Sequence, residues 1–259
     1  MKHKTKSILA LTTAFAMTAG IVSAEEEAPI KALYVTGGGW HDYDAQIKII
    51  TEGLKASIPG IDITVAAVES SQNAPEEHPV FEGDDWAEGY DVVIYNMCNS
   101  ANTNNPELVE RIVAPHRAGV AAIAIHCTMH CFRPDETGKW NDFLGIESTN
   151  HEGHAPVTVT FADIDHPILN GLPETWRYER GELYRVISEG DRVVPLAVGV
   201  SGDEEEHTVV WVNTYGEGRV FGTTIGHYNE TMLEEEFQLL LKNGLLWAVG
   251  KEAQIKDEE

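Results

Sequence analysis

Apolar residues in this chain gather into short unbroken runs separated by polar stretches rich in glycine. The clearest run is V-A-A-I-A-I at residues 120–125, which passes directly into His126-Cys127-Thr128-Met129-His130-Cys131. A run of that length without alternation is the pattern of a strand buried on both faces, and the polar cluster behind it predicts a turn into a helix. Residues 31–36, 61–68 and 91–96 repeat the pattern. Helical spacing places Ile47, Ile50 and Leu54 on a helix capped by Asp44 and reaching Ser57. It also places Leu108, Ile112 and Val113 on a helix opened by Pro106 and running through Arg117. Residues 69–90, polar and broken by Pro75 and Pro79, predict a loop or irregular crossing. Strand and helix in alternation predict an α/β fold of flavodoxin-like type, an open, mostly parallel sheet with helices on both faces.

Beyond Trp140 the pattern shortens and additional strands are expected. A brief helix at 141–146 is stopped by Gly145, and a polar loop follows at 150–154. Alternating or apolar segments at 157–161, 183–187, 193–198 and 208–213 read as strands, and Gly216 and Gly218 turn the last of them into another at 219–225. A final helix is expected from Met232 to Val249. No internal repeat is present, so residues 31–250 read as a single domain, flanked by a linker at 25–30 and an acidic tail at 251–259.

Residues 1–24 stand apart. Lys2, Lys4 and Lys6 precede an uncharged span at 8–22 and the small residues Val22-Ser23-Ala24, the layout of a secretory signal peptide. The span falls short of the roughly 20 apolar residues a membrane helix needs. A secreted or periplasmic protein, free of the membrane after cleavage, is expected. Loss of the three leader lysines takes the formal charge from −24 to −27. Such a surface repels phosphate backbones and disfavours nucleic acid as a partner. Three cysteines, Cys98, Cys127 and Cys131, permit one bridge, and a pairing of Cys98 with either of the others stays open.

Candidate chemistry lies at predicted strand ends. Parallel strands point their carboxyl ends one way, so His41, His126, His227 and a loop histidine, His154 or His151, can converge. With Asp42, Glu182 or Glu230 nearby, such imidazoles suit a divalent metal such as zinc, although no compact ligand motif is present. His126 needs a partner for each ring nitrogen if it ends a buried strand. His166, before Pro167, is expected to fix a turn, and His78, His116 and His207 to be solvated. Gly38 and Gly39 let backbone approach a ligand, and Trp40, Trp140, Tyr184 and Tyr228 offer faces for a sugar. Cys127 beside His126 also admits a cysteine hydrolase.

Taken in order, G-G-G-W-H-D, A-I-A-I-H-C, L-G-I, N-H-E-G-H, D-H-P-I-L-N-G-L-P, E-L-Y and Y-G-E-G-R-V-F-G-T-T-I-G-H resemble the ThuA-like (trehalose utilisation) family. The resemblance implies a class I glutamine amidotransferase-like fold. Laid on the amidotransferases, His126 stands where their nucleophilic cysteine would be, with Ala124 and Thr128 at the flanking glycines, and 227–230 falls at their H-x-E. Glutamine hydrolysis is therefore not expected. The positions matching the family's pattern are His41, Asp42, His126, His154, Glu182 and His227. The resemblance implies a carbohydrate ligand and a sugar-active hydrolase or lyase, acting on keto-glycosides. With the reading of the residues themselves, this makes His126, His227, Asp42 and Glu182 the catalytic candidates, Gly38, Gly39, Trp40, Tyr184 and Tyr228 the substrate-binding ones, and His41, His126, His154 and His227 the metal ligands. The alternative is a carbohydrate-binding protein without catalysis.

Overall fold

The structure, a computed structural model, describes residues 28–70, 78–99, 104–202 and 204–255. The leader expected at 1–24 lies outside these residues, as does part of the crossing at 69–90. Among the described residues no helix is long and apolar enough to cross a membrane.

The strands are β1 (Lys31–Gly38), β2 (Asp62–Ser70), β3 (Val92–Cys98), β4 (Ala121–Ile125), β5 (Ile146–His151), β6 (Ala155–Phe161), β7 (Thr175–Gly181), β8 (Tyr184–Glu189), β9 (Val194–Val200), β10 (His207–Tyr215) and β11 (Gly218–Thr223). The helices are α1 (Tyr43–Ser57), α2 (Pro106–Arg117), α3 (Lys139–Leu144), α4 (Asn229–Met232) and α5 (Glu235–Ala248). Nine strands form one sheet in the order β2-β1-β3-β4-β11-β10-β9-β6-β7, and β5 pairs with β8 in a separate ribbon. The half from β2 to β11 is parallel, with flavodoxin-like order, and the strands beyond β11 are antiparallel additions.

Residues alternate between two cores. Ala32, Tyr34, Ile94 and Ile123 face Ile50, Leu54, Phe237 and Leu241 of α1 and α5. Their neighbours Leu33, Val35, Tyr95 and Ala124 face Leu108, Ile112, Trp140 and Phe143 of α2 and α3. The two-sided burial explains why these strands lack polar alternation in sequence. The parallel order sets the ends of β1, β3, β4 and β11 side by side.

Local differences from expectation have physical causes. Asp42, not Asp44, caps α1, its Oδ1 accepting from Ala45 N at 3.2 Å. The cluster after β4 forms a short 3-10 turn, His126–His130, in place of an α-helix. The segment read as polar loop at 150–154 is partly strand, because β5 finds its partner in β8. β7 carries no apolar run to predict it, since only Trp176, Tyr178 and Gly181 of its seven residues are buried. The last helix begins at Glu235, after the separate short α4. Past it, residues 252–254 make a 3-10 turn and Ile255 packs on the core.

Two histidines expected in solvent are buried. His116, 0% exposed, donates its Nδ1–H to Val120 O at 2.8 Å and accepts from the Tyr95 hydroxyl at 2.7 Å. His78 caps the 3-10 turn Pro79–Phe81 by accepting from Val80 N. Trp140 is likewise in the core, its Nε1–H donating to Thr128 O, and offers no face to a sugar. His166 does fix its turn, accepting from Ile168 N.

Candidate functional site

His126 follows the last residue of β4 with a φ of 49°. A non-glycine residue in this left-handed region carries roughly 1–2 kcal/mol of strain. The turn carries the ring off the end of the strand, where it is buried against Glu182, Tyr184 and His227, three of the residues that line a cavity of about 430 Å³. A larger depression, about 650 Å³, lies at the opposite ends of the strands beside Ile30 and Gly119, and no histidine lines it.

Glu182, on the link from β7 to β8, is the centre of the cluster. Its Oε2 lies 3.4 Å from His126 Nε2 and 3.2 Å from His227 Nδ1. Its Oε1 lies 3.1 Å from His154 Nε2 and 3.7 Å from His151 Nε2. Four imidazoles thus surround one carboxylate that is only 7% exposed. Burial opposes ionisation of Glu182, but hydrogen bonding and charge from His126 and His227 outweigh it and hold the carboxyl below its usual range.

Backbone carbonyls set the tautomers of two rings. His126 Nδ1–H donates to Thr224 O at 2.7 Å, which leaves Nε2 facing Glu182 and the Tyr184 hydroxyl, 3.3 Å away. His41 Nδ1–H donates to Gly39 O at 3.1 Å, with the Tyr43 hydroxyl 3.0 Å from the same nitrogen. Its Nε2 is buried and has no hydrogen-bond partner. Desolvation, then the charges of His126 and His227, lower the His41 pKa to about 2. Desolvation likewise lowers that of His126 against the pull of Glu182.

This donor set fits a divalent metal. One ring nitrogen each from His41, His126 and His227 lie within 4.8 Å of one another, as do ligand atoms of His154, Glu182 and His227. Imidazole with carboxylate suits zinc and its neighbours. Carbonyls gripping the distal nitrogens of His41 and His126 are the outer-shell support such ligands use. An orphaned, buried Nε2 on His41 has no purpose in packing alone.

The other named positions divide. Tyr184 forms the floor, stacked on His130 with ring centroids 4.1 Å apart. Trp40, 63% exposed with φ of 77°, stands at the rim. Tyr228 donates its hydroxyl to His154 Nδ1. Asp42 does not line the cavity; besides capping α1 it accepts from Asn229 Nδ2 at 3.0 Å. Gly38 and Gly39 serve the backbone: a Cβ on Gly38 would sit 2.1 Å from Cys98 O, and Gly39 N–H already donates to that oxygen. Glycine at 38, with φ of 104°, is what lets β1 end against β3.

Cys98 pairs with Cys127, which resolves the open choice and removes Cys127 as a nucleophile. Cys131 is the free thiol, and burial pushes its pKa up to about 12. Sequence reasoning passed over His130, whose Nε2 is 3.1 Å from Ser148 Oγ, and Arg133, which lines the cavity. His130 stands four residues after His126 in the same cluster, a signal that was present; Arg133 carries no local pattern.

The fold recurs in solved structures. A ThuA-like protein from Parabacteroides merdae superposes with a TM-score of 0.71 at 20% identity, over 90% of this chain and 93% of that one. Another from Bacteroides uniformis gives 0.66 at 18%, over 90% and 96%. A protein from Thermoplasma acidophilum, described as part of a GMP synthase, gives 0.53 at 11%, over 88% and 96%. No curated protein sequence matches the chain. The profile of the family described as "ThuA: Trehalose utilisation" matches residues 31–248, nearly the whole described body, and the chain belongs to that family.

Proposed function

We propose that this chain is an exported carbohydrate-active enzyme, a hydrolase or lyase acting on an oxidised (keto) glycoside at the Glu182 cluster. The observation that carries the reading is the convergence of His126, His227, His154 and His151 on one buried carboxylate, with His41 Nε2 left unpartnered beside them. His41, His126 and His227 would hold a divalent metal, with Glu182 and His154 next to it. When bound, such an ion polarises a carbonyl or hydroxyl oxygen of the sugar.

The residues themselves supply the proton handling. Tyr228 donates to His154 Nδ1, so His154 Nε2 carries its proton toward Glu182 Oε1, 3.1 Å away. The His154 side chain is 50% exposed and connects Glu182 with solvent, as a proton relay requires. Removal of a proton beside the keto carbon, with a proton returned to the departing glycosidic oxygen, needs such a base and acid. Trp40 at the rim offers a flat face to the ring, and Tyr184 closes the floor.

The test uses protein made without a histidine tag. Metal content is measured first, and product release from a panel of neutral and acidic 3-keto glycosides is then followed with and without chelator. Stoichiometric transition metal and chelator-sensitive turnover support the proposal. Turnover undiminished in metal-free protein leaves an acid/base site alone. Binding by calorimetry with no product on long incubation identifies a carbohydrate-binding protein instead.

A further inference from the structure

Among the described residues Arg133 is the one permanently cationic side chain lining the cavity. Its Nε–H donates to His130 O at 3.1 Å and its Nη1 to Thr149 O at 2.7 Å, so backbone fixes the guanidinium from two sides. A guanidinium has five N–H donors, which leaves three for a ligand. Among the described residues no carboxylate lies within 4.0 Å of it, the reach within which every other ion pair here is made.

That is unusual in a chain with 42 acidic and 18 basic residues. Arg111, Arg117, Arg177, Arg185, Arg192 and Arg219 all have acidic partners. The remaining arginine, Arg180, lies over the Tyr228 ring at 4.1 Å from its centroid, and Tyr228 donates to His154 of the site. Of these two arginines without an acidic partner among the described residues, only Arg133 lines the cavity. The cavity's own acid, Glu182, is engaged by histidines.

We infer that Arg133 is an oxyanion subsite, and that the carbohydrate taken here carries a carboxylate or phosphate group. A fixed, forked guanidinium with free donors matches either group in geometry and charge. The net charge of −24 opposes an anion at long range. That field is screened beyond about 8 Å at physiological ionic strength, so the contact decides. The inference rests on reading the cavity as a sugar site.

Calorimetry on the full chain with glucuronate, glucose 6-phosphate, glucose and inorganic phosphate tests it. At least one acidic sugar is expected to bind tenfold or more tighter than glucose, with Arg133→Gln bringing that ratio to about one. Glucose bound as well as both acids overturns the inference and leaves the sugar reading standing. An acidic preference that survives Arg133→Gln overturns it too. Arg133-dependent binding of phosphate with no sugar retained keeps the subsite and removes the sugar reading, and no binding of any of the four removes both. Arg133 also ties two backbone segments, so should Arg133→Gln unfold, Arg133→Lys carries the test. It is expected to weaken the acidic sugars at least twofold, and unchanged affinity overturns the inference.

Discussion

His126 Nε2 and Glu182 Oε2 stand 3.4 Å apart, with both side chains buried. The Nδ1–H of His126 is committed to Thr224 O, so Nε2 turns either a lone pair or a second proton toward the carboxylate. A lone pair facing a carboxylate is repulsive, and a cation or proton between them removes the repulsion. The pair is therefore arranged for a positive charge.

Glu182→Gln keeps the shape and removes that charge. Zinc affinity is expected to fall by about 10–100-fold, the range seen when partners of metal ligands are lost. Thermal unfolding with and without zinc reads this directly. An equal zinc-induced rise in Tm in both proteins would show that the carboxylate is irrelevant to metal.

At position 126 glycine should be better tolerated than alanine. The φ of 49° strains any residue with a Cβ, so His126→Gly is expected to be about 1 kcal/mol more stable than His126→Ala. Both variants should lose turnover while remaining folded. Urea unfolding of the two, set beside turnover, checks the order; alanine equal to glycine contradicts the strained elbow.

The bridge between Cys98 and Cys127 closes a segment with a sequence separation of 29. Chain-entropy arguments give such a loop roughly 3–4 kcal/mol of stabilisation. The double variant Cys98→Ala, Cys127→Ala should lose about that much in urea unfolding. Oxidised native protein should resist iodoacetamide, because the remaining thiol, Cys131, is buried with its pKa raised to about 12.

Acid should destabilise the fold partly through His116. Desolvation lowers its folded pKa from 6.5 to about 4, while the unfolded side chain titrates near 6.5. The unfolded state therefore binds the extra proton, and stability, whole above pH 6.5, is lost as pH falls toward 4. The loss is roughly 3 kcal/mol over that window, at about 1.4 kcal/mol per pH unit. His116→Gln lowers absolute stability but should flatten the slope by about one proton. Unfolding free energies at several pH values between 4 and 7 decide it, and an unchanged slope refutes the assignment.

The order of buried runs along the chain determined the parallel half of the sheet, the helix from Pro106 to Arg117, and the placing of His41, His126 and His227 at strand ends. These follow from short-range physics: a run buried on both faces, a proline at a helix start, a histidine after the last apolar residue. Tertiary structure alone decided which cysteine meets Cys98, that His116 is sealed under Tyr95 and Trp86, and that Asp42 caps a helix. It also decided the site's centre, because β5 and β8 must pair before His151 can stand beside Tyr184 and Glu182 can reach His126, 56 residues away. Periodicity reports which face of one element is buried. It carries no information about which distant element supplies the neighbour, since that choice is made only when the whole sheet closes.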